Sequence, residues 1–188
     1  MLKNVHEFGK HVAIAGFRDV KVKDVDAFLE KVRKVVSGDV EVQFFDAGLV
    51  ASWRHLFFAA LNALKAFRNG ENISKRLAVE ILLYASAQRQ IRKATEVLGM
   101  KPGLKEVAVL VVGDQADQVV GALEAIERLL GGKRDDDVLE LTPEKNAKIR
   151  RVFEISDAEI EAVVDGKTLE QAIIDLVIEK VALLATER

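Results

Sequence analysis

Few residues in this chain are of a type that could do chemistry. The candidates are His6, His11 and His55, the run Asp135-Asp136-Asp137, and Glu80. His6 and His11 stand five apart beside a strand-like run, with no carboxylate at ligand spacing, whereas a metal site needs three or four converging donors. The aspartate run lacks the glycine turn and distal glutamate of a calcium loop, so Lys133–Asp137 reads as a solvated charged loop. His55 lies in the first turn of an apolar helical pattern and reads first as a satisfied structural histidine. Only its pairing with Glu80, another polar residue in apolar surroundings, would suit acid–base work on a small molecule. There is no glycine-rich phosphate loop, GxSxG elbow, HExxH or DxDxDG pattern. Cysteine is absent, which removes thiolate metal ligands, disulfides and a cysteine nucleophile together. The residues propose no reaction and no cofactor.

Charge is the stronger signal. Phe67-Arg68-Asn69-Gly70 reads as a helix end with a glycine turn. Glu71-Asn72-Ile73-Ser74-Lys75-Arg76 reads as a polar helix start carrying two adjacent cations. Cations at a helix N-terminus oppose its dipole, and that conflict points to an anionic ligand. Free backbone N–H groups at the same helix start could add a phosphate contact. Arg89, Arg92 and Lys93 form a second cluster, which would line one groove with the first if the helices pack as a hairpin. On residue types alone, the alternative that these chains solvate a helical surface stays open.

The elements that must position these clusters follow from periodicity. His11–Phe17, Val40–Phe45, Val107–Val112 and Val138–Leu141 read as strands. Asp24, Ser52 and Ser74 precede helical spacings, Thr142-Pro143-Glu144 is a helix start, and Ser156-Asp157 and Thr168 open the last two helices. Gly38-Asp39, Asn69-Gly70 and Gly99 are stops. The expected fold class is α/β (α+β): a small mixed sheet of about four strands covered by helices, with a helical C-terminal portion. The expectation is a single domain over 1–188, with an α/β core at 1–155 and a helical segment at 156–188 packing on it. Sheet topology does not follow from the pattern.

Composition bounds the partners. Lys and Arg number 28 against 30 Asp and Glu, giving a net charge of −2, so an RNA site must be a local basic patch on a near-neutral body. With 49% hydrophobic and 31% charged residues the chain is expected to be globular rather than disordered. No apolar run reaches the ~18–20 residues that span a bilayer; the run from Leu176 to Ala185 is broken by Glu179 and Lys180. No membrane association is expected. Neither a secretory signal nor cysteine is seen, so the expected compartment is the cytoplasm.

One stretch carries a family likeness. His55 to Phe67, Gly70-Glu71-Asn72-Ile73, Arg76-Leu77, Glu80-Ile81-Leu82, Ser86, Gln90-Ile91, Ala94 and Gly99 resemble the Cgi-type subunit of the KEOPS complex, whose animal counterpart is the PRPK-binding protein. The resemblance continues through Val107–Val112 and Ile149–Ser156 into the closing helix, Leu169 to Ile178. Met100 stands where the family commonly has isoleucine, and the loop Gly132–Asp137 fits poorly, so nothing is carried over to it. No single motif is diagnostic; many positions match in order.

The resemblance implies a subunit without catalytic activity in the assembly that makes threonylcarbamoyladenosine on tRNA. It implies binding and stimulation of the KEOPS kinase/ATPase subunit and capture of the single-stranded 3′ CCA end of tRNA. Unpaired nucleotides are held by stacking, polar groups and phosphate contacts. Lys75, Arg76 and Arg89 are therefore expected on phosphates, Asn72, Ser74 and Gln90 on bases or ribose, and Ile73 against a base. Leu169, Ile173, Leu176 and Ile178 of the final helix are the expected partner-binding face, unless that helix only packs on its own domain. Weak self-association through the same face stays open. A purely protein-binding regulator of the kinase is the alternative.

Overall fold

A computed structural model describes residues 1–36 and 38–186. In chain order the elements are β1 (Leu2–Val5), β2 (Lys10–Arg18), α1 (Val25–Val35), β3 (Glu41–Asp46), α2 (Trp53–Asn69), α3 (Leu77–Ala85) and α4 (Ile91–Leu98). They are followed by β4 (Val107–Gly113), α5 (Ala116–Leu130), β5 (Lys133–Arg134), α6 (Pro143–Val152), α7 (Asp157–Val163) and α8 (Leu169–Leu183). Short 3-10 turns cover His6–Phe8, Ala47–Leu49 and Asp136–Leu139. The architecture is α/β, with one open antiparallel sheet and a predominance of helix. The described residues form two compact units interleaved in sequence: Met1–Gly48 with Gly99–Val138, and Leu49–Leu98 with the chain from Leu139 on.

The first unit holds the sheet, in the order β1-β2-β4-β3, with the two-residue β5 also pairing with β2. Every pairing is antiparallel. β2 and β4 run together from His11↔Gly113 to Phe17↔Val107. Alternate residues (Ala13, Ala15, Phe17, Val107, Val109, Val111) share a core with Phe28 and Val32 of α1 and Val119, Ile126 and Leu130 of α5. Their neighbours on the other pleat, Val12, Ile14, Phe45 and Leu110, are also buried. Burial on both faces is why Val107–Val112 reads as an unbroken apolar run rather than an alternation. Asp24 caps α1 by accepting from the Ala27 N–H.

Two local expectations are corrected in this unit. Val138–Leu141 is not a strand: the chain there enters a 3-10 turn, with the Asp135 carboxylate accepting from the Asp137 N–H. An aspartate bonding two residues on offers the backbone a turn in place of a ladder. Nor is the charged loop wholly solvated. Lys133 and Arg134 pair with Arg18 and Phe17, and the Asp136 carboxylate accepts from the Gly16 N–H at 2.9 Å. Gly16 permits this approach, since a Cβ there would come 2.5 Å from the Asp135 carbonyl oxygen.

The second unit is helical. Ser52 caps α2 by accepting from the His55 N–H, and Gly70 ends it in the left-handed region at φ 69°. α3 packs against α2, α4 and α8, and α8 also against α2, α6 and α7. Most of α3 is buried, which makes it the central helix and explains its lack of a polar face. Ile149, Phe153, Ile155, Ile160, Ile173, Leu176 and Val177 form a core with Ala51 and Leu141. Each large apolar side chain fully buried in this way stabilises by ~1.5–3 kcal/mol. Ser156/Glu159 and Thr168/Gln171 form reciprocal capping boxes at the starts of α7 and α8, satisfying N–H groups that the helices cannot.

Candidate nucleic-acid interface

The first basic cluster sits on a loop whose conformation is held by its own hydrogen bonds. After Gly70, the Glu71 N–H donates to the Ala66 carbonyl at 2.9 Å, closing α2. The Asn72 amide donates to the Ser74 carbonyl at 2.9 Å, and the Arg76 N–H donates to the Ser74 hydroxyl at 3.2 Å. The Glu80 carboxylate reaches back past the start of α3 into the loop. It accepts from the Ile73 N–H at 3.0 Å and from the Ser74 N–H at 2.7 Å. Glu80 is fully buried, a placement that an ionised carboxylate tolerates only with strong donors around it.

This geometry revises two expectations. The helix starts at Leu77, with Arg76 rather than Ser74 at its N-cap position. Backbone N–H groups at the helix start were expected to be free for a phosphate; just ahead of it, those of Ile73 and Ser74 are occupied by Glu80. Asn72 is half-buried and Ser74 buried, both bonded within the loop, while Ile73 is 42% exposed and Lys75 and Arg76 are exposed. The outward surface of the loop is therefore one apolar side chain and two cations, with the exposed Glu71 at its start.

The second cluster follows the other end of α3. Ser86 closes that helix, its hydroxyl donating to the Leu82 carbonyl at 2.8 Å. Ala87 then takes a left-handed conformation at φ 50°. Arg89, Gln90, Ile91, Arg92 and Lys93 are all exposed, and Arg92 pairs with Glu96 one turn on. Nine residues of helix, ~14 Å of α3 axis, and then the turn Ser86–Gln88 stand between the two clusters in the chain.

Beside the second cluster is a pocket of about 330 Å³, lined among others by Gln88, Lys93, Phe153, Glu154 and Lys180. Ala87 and Glu154, two of the three left-handed residues other than glycine among the described residues, both line it. This pocket was not signalled by a motif. An exposed apolar residue between cations was the one available clue.

His55 is fully buried. Its Nε2–H donates to the Ala85 carbonyl at 2.7 Å and its Nδ1 accepts from the Ala51 N–H at 3.3 Å. The Phe153 ring meets it edge-on at 5.4 Å. Loss of hydration pushes its pKa down to about 4, so at neutral pH it is an uncharged tie between the start of α2 and the end of α3. Neither His55 nor Glu80 reaches solvent, and both are bonded to backbone, which leaves acid–base chemistry by this pair without a route to substrate. Among the described residues no group of three or more His, Asp or Glu is placed to hold a metal, and no helix is long and apolar enough to cross a membrane.

The expected partner face on α8 divides. Ile173 and Leu176 belong to the core of this unit, because the helix packs against α2, α3, α6 and α7; they are not surface residues. Ile178 is half-buried, and Leu169 and Leu183 are 43% and 44% exposed.

A family model described as kinase binding protein CGI-121 matches residues 17–185. The chain belongs to the CGI-121 family. The match takes in both basic clusters, Glu80, His55 and α8, and leaves out β1 and all but the end of β2. The regulatory protein Cgi121 of Methanocaldococcus jannaschii is 30% identical over 149 residues, covering 79% of this chain and 86% of that protein.

Proposed function

We propose that this CGI-121 family member is a non-catalytic, cytoplasmic subunit of the KEOPS tRNA threonylcarbamoyladenosine-modification complex. In this reading it binds the kinase/ATPase subunit and the 3′ CCA end of tRNA, recruiting the substrate. The observation that carries RNA capture is the internally hydrogen-bonded loop at Asn72–Arg76. It presents Ile73 with Lys75 and Arg76, while Arg89 and Gln90 stand at the far end of α3. Cations at that spacing suit the phosphates of a short single strand, and exposed isoleucine offers an apolar surface to a base face. Asn72 and Ser74 act here by shaping the loop, with their remaining hydrogen-bonding capacity available to ribose or base.

Kinase binding is supported by the description of the family as kinase-binding and of its Methanocaldococcus relative as regulatory. Leu169 and Ile178 remain the candidate contacts on α8, with Ile173 and Leu176 holding that helix in place from beneath. Equilibrium binding to tRNA with and without its terminal CCA, at one salt concentration, tests the RNA half. CCA-dependent binding that is lost in Lys75→Glu or Arg76→Glu is the expected result; equal binding to both RNAs rejects end capture.

One observation favours the alternative, a protein-only regulator of the kinase: two of the three uncharged polar side chains expected on RNA, Asn72 and Ser74, are already bonded within the loop. Photo-crosslinking of tRNA in the assembled complex separates the two. Crosslinks confined to residues 72–92 reject the protein-only reading.

A further inference from the structure

Glu80 is the one fully buried carboxylate among the described residues, and nothing in the binding scheme above uses it directly. It occupies a position in the first turn of α3 between Ala78 and Ile81, both buried, where an apolar residue would pack without electrostatic cost. Both of its oxygens face backbone donors: Oε1 lies 3.2 Å and Oε2 3.0 Å from the Ile73 nitrogen, and Oε2 lies 2.7 Å from the Ser74 nitrogen. Successive N–H groups converging just ahead of a helix are the geometry that elsewhere cradles a phosphate. Here the protein's own carboxylate fills that cradle. The Asn72 amide on the Ser74 carbonyl and the Ser74 hydroxyl under the Arg76 N–H complete the network, so the polar groups that define the loop path are bonded to one another.

We infer that Glu80 is the positioning residue of the RNA-contacting loop: a built-in anion that holds the Ile73 and Ser74 amides so that Ile73, Lys75 and Arg76 face the nucleic acid already ordered. This rests on the RNA reading above and adds two things to it. Phosphates are met by side chains, not by the backbone cradle, because the cradle is filled. The loop is also ordered before RNA arrives, which removes an ordering cost from binding. A carboxylate suits this place because both its oxygens only accept; a glutamine oxygen can keep the two Oε2 contacts, but its NH₂ then faces the Ile73 N–H where Oε1 stood.

The test uses the full chain and three readouts: thermal midpoint, affinity for intact tRNA, and affinity for tRNA trimmed of CCA. Glu80→Gln is expected to weaken binding of intact tRNA ~10-fold or more while leaving trimmed tRNA unchanged, the scale set by losing one charge-assisted hydrogen bond. The ratio of the two affinities therefore falls toward one. A folded Glu80→Gln protein that keeps the wild-type ratio overturns the inference. If the wild-type protein itself does not distinguish the two RNAs, end capture fails first and this inference falls with it.

Amide hydrogen exchange on the wild-type chain tests the same point without a variant that could unfold. The Ile73 and Ser74 amides are expected to be protected in the free protein and equally protected with a CCA-ended oligonucleotide bound. Exchange at the rate of an open loop, or protection gained only when RNA is added, overturns it.

Discussion

At the residue scale the buried groups set the pH behaviour. His55 titrates near 6.5 when unfolded and about 4 when folded, because burial penalises its charged form. A depressed histidine means the unfolded chain binds the extra proton first. Stability is therefore full above pH ~6.5 and is lost as pH falls toward 4, by an amount on the order of 3 kcal/mol in total. Denaturant unfolding at pH 7 and at pH 4.5 should show most of this loss, and His55→Gln should flatten it. Glu159 acts lower on the scale. The Lys180 ammonium, with the Ser156 N–H and hydroxyl, holds its carboxyl down at about 2. Its contribution is present above pH 4.5 and lost as pH falls toward 2, so Lys180→Met should remove acid sensitivity below pH 4 and leave the His55 window intact. The structural role of His55 was legible from its apolar surroundings. The role of Glu80 was not, because its partners are backbone N–H groups six and seven residues back, and no residue type announces them.

At the element scale the loops and helix ends carry the informative strain. Gly70 is left-handed at φ 69° with open space around its Cβ position, so Gly70→Ala should cost only the conformational term, ~1 kcal/mol. Gly16→Ala should cost more, ~1–3 kcal/mol or above, because its Cβ would drive into the Asp135 backbone and the Val138 side chain. Ala87 and Glu154 present the opposite case. Both end helices in the left-handed region, so Ala87→Gly and Glu154→Gly should each raise stability by ~0.5–1 kcal/mol in denaturant titrations. Helix caps at Asp24, Ser52, Ser156 and Thr168 were readable because a cap is a local event: a side-chain oxygen meets an N–H three residues on. β1 and β5 were not. Leu2–Val5 has no alternation and Lys133–Arg134 has two residues, and each exists only because β2 supplies an edge to pair with.

For the whole molecule, near-neutral charge limits the electrostatic part of the proposed RNA binding. If Lys75, Arg76 and Arg89 are the phosphate contacts, the slope of log affinity against log salt should be shallow, about −2. A steep slope would indicate a broad cationic face that the net charge of −2 does not suggest. Partner binding separates surface from core on α8. If α8 is the proposed docking face, Leu169→Arg should weaken binding of the proposed kinase/ATPase partner with little change in thermal midpoint, whereas Ile173→Arg, fully buried, should abolish folding itself. Sedimentation at increasing concentration reports whether the same face also supports weak self-association, and Leu169→Arg should reduce any that is found.

Periodicity, caps and stops in the sequence determined three of the strands and the course of the helices, since these depend on neighbours within a turn or a pleat. Composition likewise determined that any RNA contact must be local. Only the tertiary structure decided which polar groups face outward. Asn72, Ser74 and Glu80 look as available as Lys75 and Arg76 when read in line. Folding the chain back at α3 brings a carboxylate and two N–H groups together, and their mutual satisfaction in a place without water leaves Ile73 and the cations as the surface. The same holds for Ile173 and Leu176: an apolar stripe on a helix records that something covers it, and only packing shows that the cover is the protein's own core.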